Sequence, residues 1–129
     1  MIQAEMKENK NSLAASFGHA LRGCRLLFGS ERNAVIQLVL IGVAAGAGLF
    51  FEFTSTEWSV VIICSVAVLA AEAFNTAIEH LCNHLHPEKH PAIKNVKDLS
   101  AAAVLIISAG ALVSIGFLLV PRIFMLIFH

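Results

Sequence analysis

Polar side chains recur on one face of a helical segment in the middle of the chain. The stretch "AEAFNTAIEH", residues 71–80, follows an apolar run and carries Glu72, Asn75 and Glu79. Asn83 extends the same face, because a helix turns about 100° per residue and these four positions return to one side. The carboxylates of Glu72 and Glu79 are ~10 Å apart along the helix axis, too far for one metal ion but suited to two tasks at two depths.

A glutamate inside an apolar segment is costly. On insertion scales an ionisable side chain within a membrane span costs about 3 kcal/mol, and such residues usually mark a functional site. The alternative is that Glu72 makes a polar contact that holds helices together. The sequence around it leaves both explanations open.

Further charged residues lie at the same end of the neighbouring apolar segments. Glu31 and Arg32 precede the first segment, and Lys97 and Asp98 begin the third. Mg²⁺ binds carboxylate oxygens together with substrate phosphates. A lysine offers a compact positive charge to phosphate oxygens. Together with the stripe ending in Glu79, these residues predict a site for Mg²⁺ and a phosphate-bearing ligand.

The hydropathy of the chain predicts the helices that position these residues. The chain has 129 residues, of which 57% are hydrophobic and 14% charged, and its mean hydropathy is +0.77. A soluble domain carries about 25% charged residues. Three segments, at about residues 34–53, 58–82 and 99–120, have the ~20 residues that a helix needs to cross a bilayer. A net charge of zero indicates no general affinity for nucleic acid.

Turn residues and prolines separate the segments. "TSTE", residues 54–57, predicts a short turn in which Ser55 or Thr56 caps the second helix. Residues 83–97 predict a polar loop, and Pro121 is expected to end the third span. The loop contains two helix-breaking prolines, Pro87 and Pro91.

A fourth helix is predicted before the first span, at about residues 12–29. Apolar residues recur there at helical spacing: Leu13, Phe17, Ala20, Leu21, Cys24 and Leu27 or Phe28. Another face carries His19, Arg22 and Arg25. This amphipathic pattern is typical of a helix lying on a membrane surface.

The distribution of lysine and arginine predicts the orientation. Cations precede the first span (Lys7, Lys10, Arg22, Arg25 and Arg32) and follow the second (Lys89, Lys94 and Lys97). The connection between the first two spans has neither residue type. Because cytoplasmic loops are enriched in Lys and Arg, the N-terminus and the second loop are expected in the cytoplasm and the C-terminus outside. Residues 1–129 are interpreted as a single membrane domain.

Two further motifs carry weaker signals. "GVAAGAG", residues 42–48, has the small-residue spacing of a helix-packing surface and lacks the GK[ST] of a phosphate loop. "HLCNHLHPEKH", residues 80–90, places His80 and His84 one turn apart, as in a zinc site. The zincin glutamate after the first histidine is Leu81 here, so surface histidines are the alternative.

Several of these motifs together are similar to those of one known family. "EAFNTAIE", "KDLSAAAVLI", "GSERN", "EW" and the C-terminal "PRIF" resemble the small prokaryotic diacylglycerol kinases, a family that includes the undecaprenol kinases. The resemblance implies an all-α kinase of the bacterial cytoplasmic membrane, with an N-terminal surface helix and three transmembrane helices. It also implies a homotrimer with active sites between neighbouring subunits.

The resemblance also implies roles for particular residues. They are Glu72 as general base on a lipid hydroxyl, Asn75, Glu79, Lys97 and Asp98 toward ATP, Glu31 and Glu79 toward Mg²⁺, and Asn83 and Arg32 as auxiliary residues. One position departs from the family pattern, because the family usually has Asp where this chain has Asn83. Asn adds no negative charge, so slower turnover or weaker Mg²⁺ binding is expected.

The leading functional hypothesis is Mg²⁺- and ATP-dependent phosphorylation of a membrane lipid alcohol. "HP" at His90 and Pro91, followed by Lys94, resembles the undecaprenol kinases and favours undecaprenol over diacylglycerol. The alternatives are a small proton-coupled transporter that uses Glu72 and a non-catalytic, metal-binding helix bundle. A transporter would place its carboxylate near mid-span and would not require the pair Lys97–Asp98.

Overall fold

The computed structural model describes residues 12–86, 88 and 90–128. These residues form four α-helices and no strand: α1 Ser12–Ser30, α2 Arg32–Phe50, α3 Ser55–Leu85 and α4 Pro91–Phe128. The last three are long and apolar enough to cross a membrane. The predicted all-α fold with three candidate spans is therefore confirmed. Lys7, Lys10, Pro87 and Lys89, which entered the sequence predictions, lie outside the described residues.

The chain divides into two compact units, Met1–Arg32 and Asn33–His129. The described part of the first unit is essentially α1. Its apolar residues Leu13, Phe17 and Leu21 are exposed at successive turns. The Arg22 guanidinium lies 2.7 Å from His19 Nδ1. The helix is therefore amphipathic, as its sequence pattern predicts.

In the second unit, α2 and α3 are joined by a tight connection. The Phe53 amide donates to the Gly48 carbonyl at 2.9 Å, and the Glu52 amide to the Leu49 carbonyl at 3.4 Å. This is the Schellman pattern, which satisfies the last carbonyls of a helix and needs a left-handed residue after it. Glu52 takes that conformation, with φ of 52°. Gly48 allows a close approach, since a Cβ there would lie 3.1 Å from the Phe53 and Trp58 side chains.

The residue that caps α3 is Thr54, and the prediction of Ser55 or Thr56 is wrong. The Thr54 hydroxyl accepts from the Glu57 amide, and the Glu57 carboxylate accepts from the Thr54 amide at 2.9 Å. This reciprocal pair is a capping box. Both residues are in "TSTE", whose S/T-x-x-E spacing is the sequence signature of that motif. The helix therefore begins at Ser55, ahead of the predicted span.

The connection between α3 and α4 is shorter than predicted. α3 continues to Leu85 and α4 begins at Pro91, so most of the expected loop 83–97 is helical. Proline is compatible with the first helical position because its missing N–H has no intrahelical partner there. The preceding His90 accepts a hydrogen bond from the Ala92 amide through Nδ1 at 3.2 Å, as a capping side chain does.

Pro121 does not end the third span, contrary to prediction. α4 runs through it to Phe128. Proline removes one hydrogen bond from a helix, and spans tolerate this loss when neighbouring groups satisfy the freed carbonyls. The carbonyl that Pro121 frees is that of Phe117, and the Arg122 guanidinium donates to the next carbonyl, that of Leu118, at 2.9 Å. The residues after Pro121 are largely apolar and continue the helical segment.

The helix ends remote from the polar stripe are held by aromatic and ionic contacts. Ala44, Phe53 and Val61 form a small buried cluster with partly buried Trp58 and Leu119 beside it. Arg122 lies 2.8 Å from the Glu57 carboxylate. Its guanidinium also stacks over Phe53, 4.8 Å from the ring centroid. The start of α3 and the end of α4 are thereby fixed to each other.

Candidate functional site

The polar residues of α3 face inward at the end of the bundle where α3 ends and α4 begins. Glu72 is only 2% exposed and is the largest fully buried side chain among the described residues. Asn75 and, on α4, Ser100 are each 9% exposed. Most large apolar side chains on these helices are exposed. A fold that buries its polar groups and exposes its apolar ones is arranged for lipid surroundings.

Glu72 contacts a residue of α2. The Gln37 amide nitrogen Nε2 donates to Glu72 Oε2 at 2.8 Å. Two nearby polar atoms, Gln37 Oε1 and Thr76 Oγ1, are buried without a hydrogen-bond partner. Buried polar groups are normally paired, so these two atoms are positions where a ligand or a water molecule would bind.

Asn75 links Glu79 to α4. Its Oδ1 accepts from the Ser100 hydroxyl at 2.7 Å, and its Nδ2 lies 3.5 Å from Glu79 Oε1. The Ser100 hydroxyl also contacts the Lys97 carbonyl at 2.9 Å. The amide orientation of Asn75 is therefore fixed from both sides. Hydrogen bonds thus run from Asn75 of α3 to the turn of α4 that carries Lys97.

Lys97 is held by the residue that departs from the family pattern. Its Nζ donates to Asn83 Oδ1 at 2.9 Å, across the two helices. Because the amide of Asn83 is neutral, the lysine is positioned while its charge remains available to an anion.

Glu79, Asn83, Lys97 and Asp98 line one open cleft of ≈ 780 Å³. Clefts that bind small molecules are commonly about 300–1,000 Å³. The cleft's other lining residues are His86, Glu88, His90, Pro91, Ile93, Lys94 and Ala101. The cleft contains cations for phosphates and carboxylates for a metal ion, which is the chemistry that a Mg²⁺–nucleotide requires.

A second, smaller cavity of ≈ 250 Å³ lies among the three spans. It is lined by Gln37, Leu40, Ile41, Val43, Ala44, Cys64, Ser65, Val68, Ser108, Ala111, Leu112, Ile115 and Leu119. Most of these side chains are apolar, and Gln37 is the residue that connects this cavity to Glu72. The buried carboxylate therefore lies beside space suited to a hydrocarbon chain.

The structure groups most of the predicted site residues. The residues that lie where α3 and α4 meet are Asn75, Glu79, Asn83, Lys97 and Asp98. Glu72 lies on the same face of α3 and contacts Gln37 of α2. Glu31 and Arg32 belong to the first compact unit. The approach of these two residues to the others stays a prediction.

The described residues offer carboxylates but no complete metal-binding cluster. Within the described residues, no three His, Cys, Asp or Glu side chains come together as a metal site. The ring centroids of His86 and His90 are 6.1 Å apart, a stacked pair. Mg²⁺ is usually bound through one or two carboxylates, with phosphates and water as the other ligands. Glu79 and Asp98 in the cleft fit that mode.

Sequence reasoning missed two contributors, Gln37 and Ser100. Gln37 is the first polar residue inside an otherwise apolar predicted span, a signal that was present in the sequence. Ser100 follows Lys97 by three residues, which places both on one helix face. Their partners, Glu72 and Asn75, were recognised, but the pairing depends on how the helices are packed.

Comparisons with known proteins agree with the sequence motifs. The profile of a family described as prokaryotic diacylglycerol kinase matches residues 18–119, which include every candidate site residue. The undecaprenol kinase of Bacillus subtilis (strain 168) is 30% identical over 103 residues, covering 78% of this chain and 84% of that protein. A diacylglycerol kinase of Pseudomonas aeruginosa is 32% identical over 87 residues, covering 67% and 70% of the two chains.

Proposed function

The chain belongs to the prokaryotic diacylglycerol kinase family of lipid kinases, and from that premise we propose that it phosphorylates a membrane lipid alcohol with ATP and Mg²⁺. The acceptor is a hydroxyl at headgroup depth on the cytoplasmic face. The nucleotide enters from the cytoplasm.

One observation carries this proposal. Glu72, a buried carboxylate, bonds Gln37 of an apolar cavity, and Asn75, on the same face of α3, bonds Ser100 next to the polar cleft that contains Lys97. A lipid kinase must bring a hydrocarbon-anchored hydroxyl and a water-soluble triphosphate to one point. The apolar cavity suits the first substrate and the cleft suits the second.

Depth along α3 agrees with this division. Glu72 lies 17 residues after Ser55, which corresponds to ~26 Å of helix. Glu79 lies 24 residues after Ser55, or ~36 Å. A hydrocarbon core is about 30 Å thick. Glu72 therefore falls just inside the boundary and Glu79 just outside it, if α3 begins at the opposite surface.

The proposed reaction is a direct phosphoryl transfer. Glu72 takes the proton of the lipid hydroxyl while the hydroxyl oxygen attacks the γ-phosphorus of ATP, and the bond to the β–γ bridging oxygen breaks to release ADP. Lys97 binds phosphate oxygens, and Asn75 and Asp98 hold the nucleotide in line. Mg²⁺ supplies positive charge that offsets the triphosphate, and Glu79 with Glu31 would hold it.

Undecaprenol is the preferred acceptor. The Bacillus subtilis relative is named an undecaprenol kinase, and the match covers more of this chain than that to the Pseudomonas aeruginosa diacylglycerol kinase. The "HP" motif at His90 and Pro91 supports the same choice. Both lipids present a hydroxyl on an apolar anchor, so the catalytic groups serve either one.

A proton-coupled transporter gains no support from the geometry. Such a protein would use a carboxylate near the middle of a span. Here the polar groups gather at the junction of α3 and α4, together with Lys97 and Asp98.

The test is a phosphoryl-transfer assay on purified full-length protein in detergent. Labelled ATP is supplied with undecaprenol and diacylglycerol in parallel, and Mg²⁺ is varied. We expect label in the lipid fraction, more with undecaprenol, and loss of transfer when Mg²⁺ is chelated. Absence of label in every lipid offered would disprove the proposed function.

A further inference from the structure

We propose that Gln37 is a positioning residue for the reaction, which orients the Glu72 carboxylate toward the acceptor hydroxyl. The inference rests on the proposed function and extends it to a residue outside the sequence motifs described above. It is carried by three observations: a cross-helix hydrogen bond, an unpaired buried oxygen and the position of Gln37 in the apolar cavity.

The hydrogen bond determines how the carboxylate is presented. Glu72 is almost completely buried, and a buried polar group needs hydrogen-bond partners to replace water. Gln37 Nε2 is that donor, at 2.8 Å from Oε2. Because this contact engages Oε2 only, Oε1 is left for a ligand. A rigid partner on another helix also keeps the carboxylate in one rotamer.

The unpaired oxygen indicates where a ligand approaches. With Nε2 turned to the carboxylate, Gln37 Oε1 is buried and accepts no hydrogen bond. Leaving a buried acceptor unpaired is unfavourable. Gln37 also lines the apolar cavity among the spans. The cavity therefore has a polar end at Gln37 and Glu72 and apolar walls, which matches an amphipathic alcohol.

A purely structural role for the same contact makes a different prediction. Polar side chains in spans also hold helices together. If that were the role of Gln37, its loss would lower stability and affect all kinetic constants through the folded fraction. A positioning role affects turnover and leaves nucleotide binding unchanged, because the nucleotide cleft is lined by other residues.

The experiment compares three variants of the full-length protein in detergent, Gln37→Leu, Gln37→His and Ser114→Ala. Leucine removes the donor, and histidine restores an N–H of similar reach. Ser114 is the control, because its hydroxyl contacts only the Gly110 carbonyl of its own helix. For each variant, kcat and KM are measured for ATP and lipid, together with the thermal unfolding midpoint.

We expect Gln37→Leu to lower kcat by about 10- to 100-fold, as expected for the loss of a hydrogen bond to a charged group. KM for ATP should stay within about twofold, since the cleft residues are unchanged. Gln37→His should recover much of kcat, and Ser114→Ala should match the parent protein.

Two results would overturn the inference. One is a kcat for Gln37→Leu no lower than that for Ser114→Ala. The other is that Gln37→Leu lowers the unfolding midpoint enough to account for the lost activity, while Gln37→His fails to recover kcat. Both results require that the parent protein is an active kinase. If the parent protein is inactive, the proposed function fails and this inference is not the cause.

Discussion

At the scale of single residues, Glu72 differs from a surface glutamate in its burial and in its contact with another helix. It is ionisable, almost wholly buried and bonded to one amide of another helix. A lipid hydroxyl is a weak nucleophile until its proton is removed, and a carboxylate at hydrocarbon depth is suited to that task. The polar residues after it on the stripe are progressively more open to the cleft.

Replacement of Glu72 by Gln should abolish most lipid phosphorylation. The amide keeps the size of the side chain but does not accept the proton, and general-base catalysis typically contributes about 10²–10⁴-fold. We expect kcat to fall by at least ~10²-fold, measured by label transfer. ATP affinity, measured by nucleotide binding, should change little.

The control for that variant is Glu52→Gln, which removes an exposed carboxylate from the connection between α2 and α3. It should keep parental activity. Full activity in Glu72→Gln would show that another group serves as the base.

Replacement of Asn83 by Ala should weaken ATP binding. Lys97 would lose the acceptor that holds its ammonium group in the cleft. The loss of one such hydrogen bond is worth about 0.5–1.5 kcal/mol, so KM for ATP should rise about two- to tenfold. The effect at saturating ATP should be smaller.

Asn95→Ala is the matched control for this change. Asn95 is an exposed amide on the same helix as Lys97 and does not line the cleft. If both alanine variants give the parental KM, Asn83 does not position Lys97 for the nucleotide.

At the scale of elements, the connection between α2 and α3 determines how these two helices meet. A Schellman motif ends α2, and a capping box begins α3 three residues later. Glu57 serves twice, since it completes the capping box and pairs with Arg122 of α4. These contacts lie at the opposite end of α3 from the candidate site, so they support the bundle and do not take part in the chemistry.

Thr54→Ala should lower stability and leave the specific activity of the folded protein unchanged. Loss of an N-cap side chain costs about 1 kcal/mol, because amides of the first turn lose their acceptor. The readout is thermal unfolding in detergent. Thr56→Ala is the control, since Thr56 is exposed within the first turn and makes no capping contact. Equal midpoints for the two variants would indicate that solvent or headgroups replace the cap.

At the scale of the whole molecule, the chain leaves much apolar surface uncovered. On α4, Leu105, Leu112 and Phe117 are 70%, 75% and 77% exposed. Lipid tails, further copies of the chain or both must cover such surfaces. A homotrimer, which the family resemblance implies, would satisfy this requirement and would add walls to a cleft that one copy leaves open.

Membrane orientation is testable by cysteine labelling in intact cells. In a background without Cys24, Cys64 and Cys82, a cysteine at Thr56 should react with an impermeant reagent from outside. A cysteine at Asn95 should react only after permeabilisation, because the cation-rich connection is expected inside. The reverse pattern would separate the nucleotide cleft from cytoplasmic ATP and contradict the proposed function.

A shared active site is testable by mixing inactive subunits. If Glu31 of one copy serves a site containing Glu72 of another, Glu31→Ala and Glu72→Gln subunits should regain partial activity when denatured together and refolded. Each variant refolded alone should stay inactive. No recovery in the mixture would place both residues in a site built from one copy.

The sequence anticipated most of what depends on local pattern. Hydropathy identified three spans, and helical periodicity identified the stripe of Glu72, Asn75 and Glu79. Two local predictions, the end of α4 and the cap of α3, are wrong. Proline was expected to end α4 at Pro121, yet the helix continues. The cap was assigned to Ser55 or Thr56, although the S/T-x-x-E spacing pointed to Thr54.

Which side chains meet was decided only by the tertiary structure. Glu72 bonds Gln37, Asn75 bonds Ser100, and Asn83 holds Lys97. Each pair joins two different helices, so it depends on the rotation and relative height of one helix against another. Side-chain periodicity fixes which face of a helix is polar, because it is a property of a single helix. Periodicity does not determine the relative height of two helices. That height, which decides which polar groups meet, is set by how the helices pack.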